Sequence, residues 1–196
     1  MKKVWVVLLV ILGVIAVIAM SFAGTYNGLV QSEEQVNQAW SQVENVYQRR
    51  LDLIPNLVET VKGYAAHEKS TFVEVTEARS RAAGTLSKDV INDPQKFQQF
   101  QESQGALSSA LSRLLVIVER YPDLKANQNF MSLQTQLEGT ENRISVERGR
   151  YNEAAQMFNT KLRQFPTNMI GGMFGFKTKE YFKAEVRAAE APKVRF

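Results

Sequence analysis

Apolar residues in this chain form one unbroken block and then a long rhythm of threes and fours. Val4 to Phe22 reads VWVVLLVILGVIAVIAMSF, nineteen residues without a charge. As a helix this block is about 28 Å long, close to the ~30 Å hydrocarbon thickness of a bilayer. Beyond it the positions Leu29, Glu33, Val36, Trp40, Val43, Tyr47, Arg50, Ile54, Leu57, Val61, Tyr64, Glu68, Phe72, Val75 and Arg79 follow one another with a single slip. That is the helix period, with the alternation of a coiled-coil seam. Pro55 lies inside the stripe, and because the phase is the same on both sides it predicts a kink rather than an end.

Gly84 to Asp93 predicts a loop, with Pro94 at the first position of a second helix. Its stripe is Phe97, Phe100, Gln104, Leu107, Leu111, Leu114, Val118 and Tyr121, stopped by Pro122. The third runs Phe130, Leu133, Leu137, Glu141, Ile144, Arg148, Tyr151, Ala155, Phe158, Leu162 and Phe165, stopped by Pro166. Met169 to Phe176 reads as a glycine-broken apolar loop, and Thr178 to Ala189 as a short amphipathic helix. Short connections require antiparallel neighbours. The expected class is therefore all-α. A transmembrane helix within residues 1–23 precedes an elongated antiparallel up-down bundle over 24–196, with three long helices and a short C-terminal fourth.

Composition narrows the chemistry. In 196 residues, 44% apolar and 22% charged, there is room for one folded domain and no case for a wholly disordered chain. The absence of cysteine excludes disulfides, thiol catalysis, thiolate metal sites and a lipoprotein anchor. A single histidine, His67, excludes two-histidine zinc motifs. Setting aside Lys2 and Lys3 leaves 24 − 2 = 22 basic residues against 20 acidic ones, too balanced for a nucleic-acid footprint. Lys2 and Lys3 precede the apolar block, whereas Gly24 to Gln48 contains no Lys or Arg. The positive-inside rule then puts Met1 in the cytoplasm and the chain after Phe22 outside, on the bacterial cytoplasmic membrane. A cleaved signal peptide is the competing reading, with Ser21-Phe22-Ala23 as its cleavage site. The apolar run is longer than a signal core and favours retention.

Several motifs occur in order: Tyr26-Asn27-Gly28-Leu29-Val30; Arg50-x-Asp52-Leu53-Ile54-Pro55-Asn56-Leu57-Val58; Glu119-x-Tyr121-Pro122-Asp123-Leu124-Lys125; Leu137 to Ile144; Arg150-Tyr151-Asn152; Phe165-Pro166; and Tyr181-Phe182. The whole chain resembles the LemA family of bacterial membrane proteins. The resemblance implies one N-terminal membrane helix and an outward-facing helical bundle, and it implies no particular reaction or ligand.

Charges standing where the stripe requires Leu must find partners, reach solvent or shift their pKa. Measured along equally pitched helices, Glu68, Arg79, Gln104, Glu141 and Arg148 fall near one level and suggest an interior polar layer. Its first reading is ion pairing that fixes register, and its second is a small-ligand site. The same measure makes the first helix, Thr25 to Ala82, about 87 Å long against about 42 Å for Pro94 to Tyr121. Leu29, Val36, Trp40, Val43 and Tyr47 would then be a stripe without an in-chain partner near the membrane. Self-association into a homo-oligomer through that stripe follows as an expectation, with a returning C-terminal segment as the alternative cover.

Other signals are weak. Gly175-Phe176-Lys177-Thr178 lacks the Gly-Lys step and preceding strand of a phosphate loop. Asp52, Asn56, Arg49 and Arg50 surround Pro55 and would satisfy the carbonyls it frees, or form a docking collar. Lys177 to Phe196 carries 6 − 3 = +3, read as a solvated helix face unless it returns to an anionic membrane. The expected function is a non-enzymatic, membrane-anchored scaffold that binds itself or other envelope proteins. No catalytic, metal or cofactor residues are expected. A sensor using the polar layer is the alternative, and a hydrolase using Glu68 and Glu141 stands third.

Overall fold

A computed structural model describes residues 2–183. The elements are α1 (Lys2–Lys62), α2 (Lys69–Gly84), a 3-10 turn (Lys88–Asn92), α3 (Pro94–Val118), α4 (Pro122–Lys125), α5 (Gln128–Arg163) and α6 (Thr167–Phe174). There is no strand among the described residues. The all-α class therefore holds, and among the described residues α1 is the one helix long and apolar enough to cross a membrane. Its apolar block is not packed inside the protein.

The first predicted helix divides. α1 runs through Pro55 and ends at Lys62, and Gly63 to Glu68 reverse the chain. Gly63, a poor helix former, begins the turn, and Ala65 N–H closes it on the Val61 carbonyl at 2.9 Å. Tyr64 accepts a hydrogen bond from Asn127, and Glu68 pairs with Arg120 at 3.2 Å, which fastens the turn to the ends of α3 and α5. α2 returns along α1, with Arg79 beside Leu51. α3 then runs antiparallel to α2, and α5 antiparallel to α1, with Lys161 at Gly28 and Glu141 at Arg50.

This reversal corrects the expected lengths. Beyond residue 23, α1 has 39 residues, about 58 Å, and α5 with 36 residues is about 54 Å. α5 therefore covers α1 along almost its whole outer length. The stripe expected to be open, Leu29, Val36, Trp40, Val43 and Tyr47, is buried within one chain.

Two apolar cores result. One joins Leu51 to Ala82 with Leu107 to Leu137, and the other joins Leu29 to Tyr47 with Phe97, Phe100, Ile144 to Leu162, Ile170 and Phe182. The C-terminal expectation also changes. The segment read as a loop contains α6, and Thr178 to Lys183 is not helical. The rest of the predicted fourth helix lies outside the described residues. α6 ends on Gly175 at φ 77°, a left-handed position suited to glycine, and Phe176 N–H bonds the Gly171 carbonyl at 3.0 Å. A Cβ at Gly171 would stand 2.3 Å from Leu162 Cδ1, so a side chain there would require Leu162 to move.

Pro55 lacks the N–H that would bond the Leu51 carbonyl, and Arg79 Nε donates to that oxygen at 2.8 Å. The residues next to Pro55, expected to do this, are not the donors. Arg79→Met should lower unfolding stability of the full chain in detergent by about 1–3 kcal/mol. In a Pro55→Ala background, where position 55 regains its N–H, the same change should cost distinctly less. Equal losses in both backgrounds would show that the contact does not answer the proline.

Candidate functional site

The two cores are separated by a polar layer. On α1 it interrupts the seam between Tyr47 and Leu51, on α3 between Phe100 and Leu107, and on α5 between Leu137 and Ile144. The residues at those points are Arg50, Gln104, and Thr140 with Glu141. Arg50 is 3% exposed. Its Nε lies 2.9 Å from Glu141 Oε1, and a terminal nitrogen donates to Ser108 Oγ at 2.7 Å. Gln104 donates to the Ala82 carbonyl at 3.3 Å, and Thr140 donates to the Gln136 carbonyl. Gln104 Oε1 is buried and has no hydrogen-bond partner among the described residues.

Of the five residues expected in this interior layer, Gln104 is buried in it, and Glu141, its side chain 47% exposed, reaches Arg50 from the surface. Arg79 borders it at Leu51, and Arg148 forms its opposite rim, donating to the Lys183 carbonyl at 2.9 Å with its guanidinium 4.8 Å from the Phe182 ring centre. Glu68 is elsewhere, paired with Arg120 at the turn. Arg50, expected in a collar around Pro55, sits at the centre of the layer instead. Its place in the stripe, one step after Tyr47, was the available signal.

A groove of about 590 Å³ opens over this layer. Its walls bring together Arg50, Gln104, Ser108 and Glu141 with Arg113, Arg148 and Lys183. Four cations thus face one carboxylate, although Arg113 also pairs with Glu74 across to α2.

A second polar assembly was not anticipated. Lys179 is 4% exposed, and its ammonium donates to Glu33 at 2.7 Å and to Asn92 at 2.6 Å. It joins the C-terminal segment to α1 and the 3-10 turn, so a residue of the supposedly solvated tail is a buried tie. The backbone around it is clamped by two asparagines of α5. Asn159 bonds both the N–H and the carbonyl of Lys179, and Asn152 does the same for Phe182. Seven helical residues rise about 10.5 Å, and three extended residues span about 10 Å, so the two spacings match. The clamp sets Phe182 among Trp40, Phe97, Phe100 and Tyr151, with ring centres 5.0–6.3 Å away. Burial, with the neighbouring Glu180 and Tyr181, raises the Tyr151 pKa above its ordinary value. It stays a neutral donor to the Glu180 carbonyl at 3.1 Å. The signal for the clamp was the pair of amides beside Tyr151 and Phe158 in an otherwise apolar seam.

Among the described residues, no group of three or more His, Asp or Glu side chains could hold a metal ion. Gly171 and Gly172 lie in α6 rather than in a phosphate loop.

The sequence pattern of the LemA family matches residues 39–196. This chain belongs to the LemA family. The matched span takes in the polar layer, the groove and the asparagine clamps. The LemA-family chain is similar to magnetosome protein MamQ 2 of Paramagnetospirillum magneticum, at 29% identity over 93% of this chain and 72% of that protein. It is also similar to magnetosome protein MamQ of Magnetospirillum gryphiswaldense, at 28% over 85% and 67%. Protein LemA of Metamycoplasma hominis is 24% identical over 83% of this chain and 71% of its own length. The LemA-family motifs acquire physical roles here. Arg50 meets Glu141, Pro55 is answered by Arg79, and Asn152 holds Phe182.

Proposed function

We propose that this chain is a non-enzymatic interaction protein of the bacterial envelope, held in the cytoplasmic membrane by residues 4–22 with its helical domain outside. One observation carries the reading. α1 continues without a break from the apolar block into the core, so the membrane segment and the domain share one helix. The candidate cleavage site at Ser21-Phe22-Ala23 lies inside that helix, and Phe22 packs against Phe174 of α6. The continuous helix supports retention of the anchor, and the charge of Lys2 and Lys3 supports a cytoplasmic N-terminus.

Glu68 and Glu141 are held in separate ion pairs, one at the turn and one in the polar layer, which gives a two-carboxylate hydrolase no support. Self-association through Leu29, Val36, Trp40, Val43 and Tyr47 is not carried forward, because one chain already buries that stripe. Contacts with further copies or other envelope proteins would use exposed surfaces instead.

A second reading, a binding module, is favoured by the groove over the polar layer. Its cationic walls and the unpartnered Gln104 Oε1 suit a small anionic ligand that also donates a hydrogen bond.

Two results test these readings. After osmotic shock and an alkaline wash, the chain should remain wholly with the membrane fraction, and a soluble form beginning at Gly24 would contradict the anchor. For the groove, inorganic phosphate near neutral pH should raise the melting temperature of the full chain, and Gln104→Leu should remove the rise. An identical rise in both proteins, or none in either, would contradict a site built on Gln104.

A further inference from the structure

We propose that α6 is docked in the bilayer surface, its Met173 and Phe174 lying at the headgroup–hydrocarbon boundary of the membrane that α1 crosses. This rests on the anchor reading and adds a second lipid contact, made by the family-specific domain itself.

Position comes first. Ile170 and Gly171 hold α6 against the protein, and a Cβ on Gly171 would lie 3.9 Å from Leu29. Phe174 lies lower, with ring centres 6.1 Å from Phe22 and 4.7 Å from Tyr26. α6 therefore descends along α1 towards the membrane and ends where the apolar block ends. Leu29 is about 10.5 Å above Phe22 along the helix, while the interfacial layer is roughly 5–7 Å deep on each side. The C-terminal end of α6 falls in that layer, and Met169, one turn back, falls at its outer edge.

Chemistry agrees with position. α6 reads TNMIGGMF and has no charge. Three of its large side chains are apolar and open, with Met169 62%, Met173 72% and Phe174 53% exposed, and Asn168 at its start is the exposed polar residue. Phe165, just before it, is also open. Apolar side chains gathered at one end of a protein mark a surface that meets something other than water. Between α6 and the membrane helix lies a groove of about 510 Å³ walled by Ile15, Ile18, Ala19, Phe22, Tyr26 and Phe174. Such a slot gives water no partners and accepts an acyl chain.

Charge points the same way. No carboxylate occurs between Glu153 and Glu180, a stretch that contains Lys161, Arg163, Lys177 and Lys179. Lys161 and Lys179 are occupied inside the protein, by Gly28 and by Glu33 with Asn92. Arg163 and Lys177 are exposed and flank α6 on either side. An uncharged apolar helix between two cations is the arrangement that settles on an anionic bilayer surface. Tyr26 and Phe176 complete an aromatic group at the same level.

The chain has no cysteine, so single nitroxide labels report depth directly. The full chain is reconstituted in vesicles of phosphatidylcholine with phosphatidylglycerol, labelled in turn at Ile11→Cys, Met173→Cys, Met169→Cys and Val146→Cys. Collision with oxygen is compared with collision with a water-soluble nickel chelate. Ile11 reports the anchor, and Val146, exposed on α5 far from the membrane, reports water. The oxygen-to-nickel ratio at Met173 should be several-fold above that at Val146, with Met169 between them. A water-like ratio at Met173, with Ile11 in lipid, would overturn the docking of α6 alone. Shielding of Met173 from both reagents would overturn it in favour of a second protein surface. A water-like ratio at Ile11 would instead remove the anchor on which the proposal stands.

Discussion

The rest of the structure depends on the reversal of the chain at Gly63 to Glu68. A helix running on to Ala82 would leave its partners far too short to cover it. Ending α1 at Lys62 makes its outer part and α5 nearly equal in length, so each buries the other's seam from the turn down to the membrane. Trp40 is the measure of that match, being 1% exposed although it stands well outside the apolar block. Fully burying a side chain of this size is worth roughly 2–3 kcal/mol or more. The same match brings the C-terminal end of α5 back to the membrane side, and with it α6.

Dividing a long core with charged and amide groups has a cost that apolar packing would avoid. What the polar layer contributes is register. Arg50 can meet both Glu141 and Ser108 only when α1, α3 and α5 are at one height, and a slip of one turn would strand a guanidinium away from water. The asparagine clamps work in the same way on the extended segment, since their seven-residue spacing accepts one alignment of residues 179–182. Apolar seams of uniform rhythm would not otherwise distinguish neighbouring registers.

Much of this was legible in the sequence. The long apolar N-terminal helix, the proline-started α3, the proline-stopped α5 and the positions of the seams follow from hydropathy and helix punctuation. The reversal was not legible, because α1 and α2 face the same core and the apolar rhythm passes through Gly63 to Glu68 with a single slip. The turn also lacks a proline or a strong capping residue, leaving Gly63 as its one local sign. Without the reversal Glu68 would fall at the height of a layer it does not join, and the stripe from Leu29 to Tyr47 would stand uncovered. Lys179 was obscured for a different reason. A lysine among other charges reads as solvated until the fold brings Glu33 and Asn92 beside it. Arg50 stood in the seam in plain view, and only the corrected helix lengths bring Glu141 to its height.

The most direct test of this account is whether one chain closes its own membrane-proximal seam. Ser32 Oγ and Lys161 Nζ are 3.1 Å apart across α1 and α5. Cysteines introduced at these two positions should be joined by a short bismaleimide in native membranes, giving a crosslinked product that migrates as a single chain. A product found mainly as a dimer would contradict it, since the partner helix would then come from another molecule.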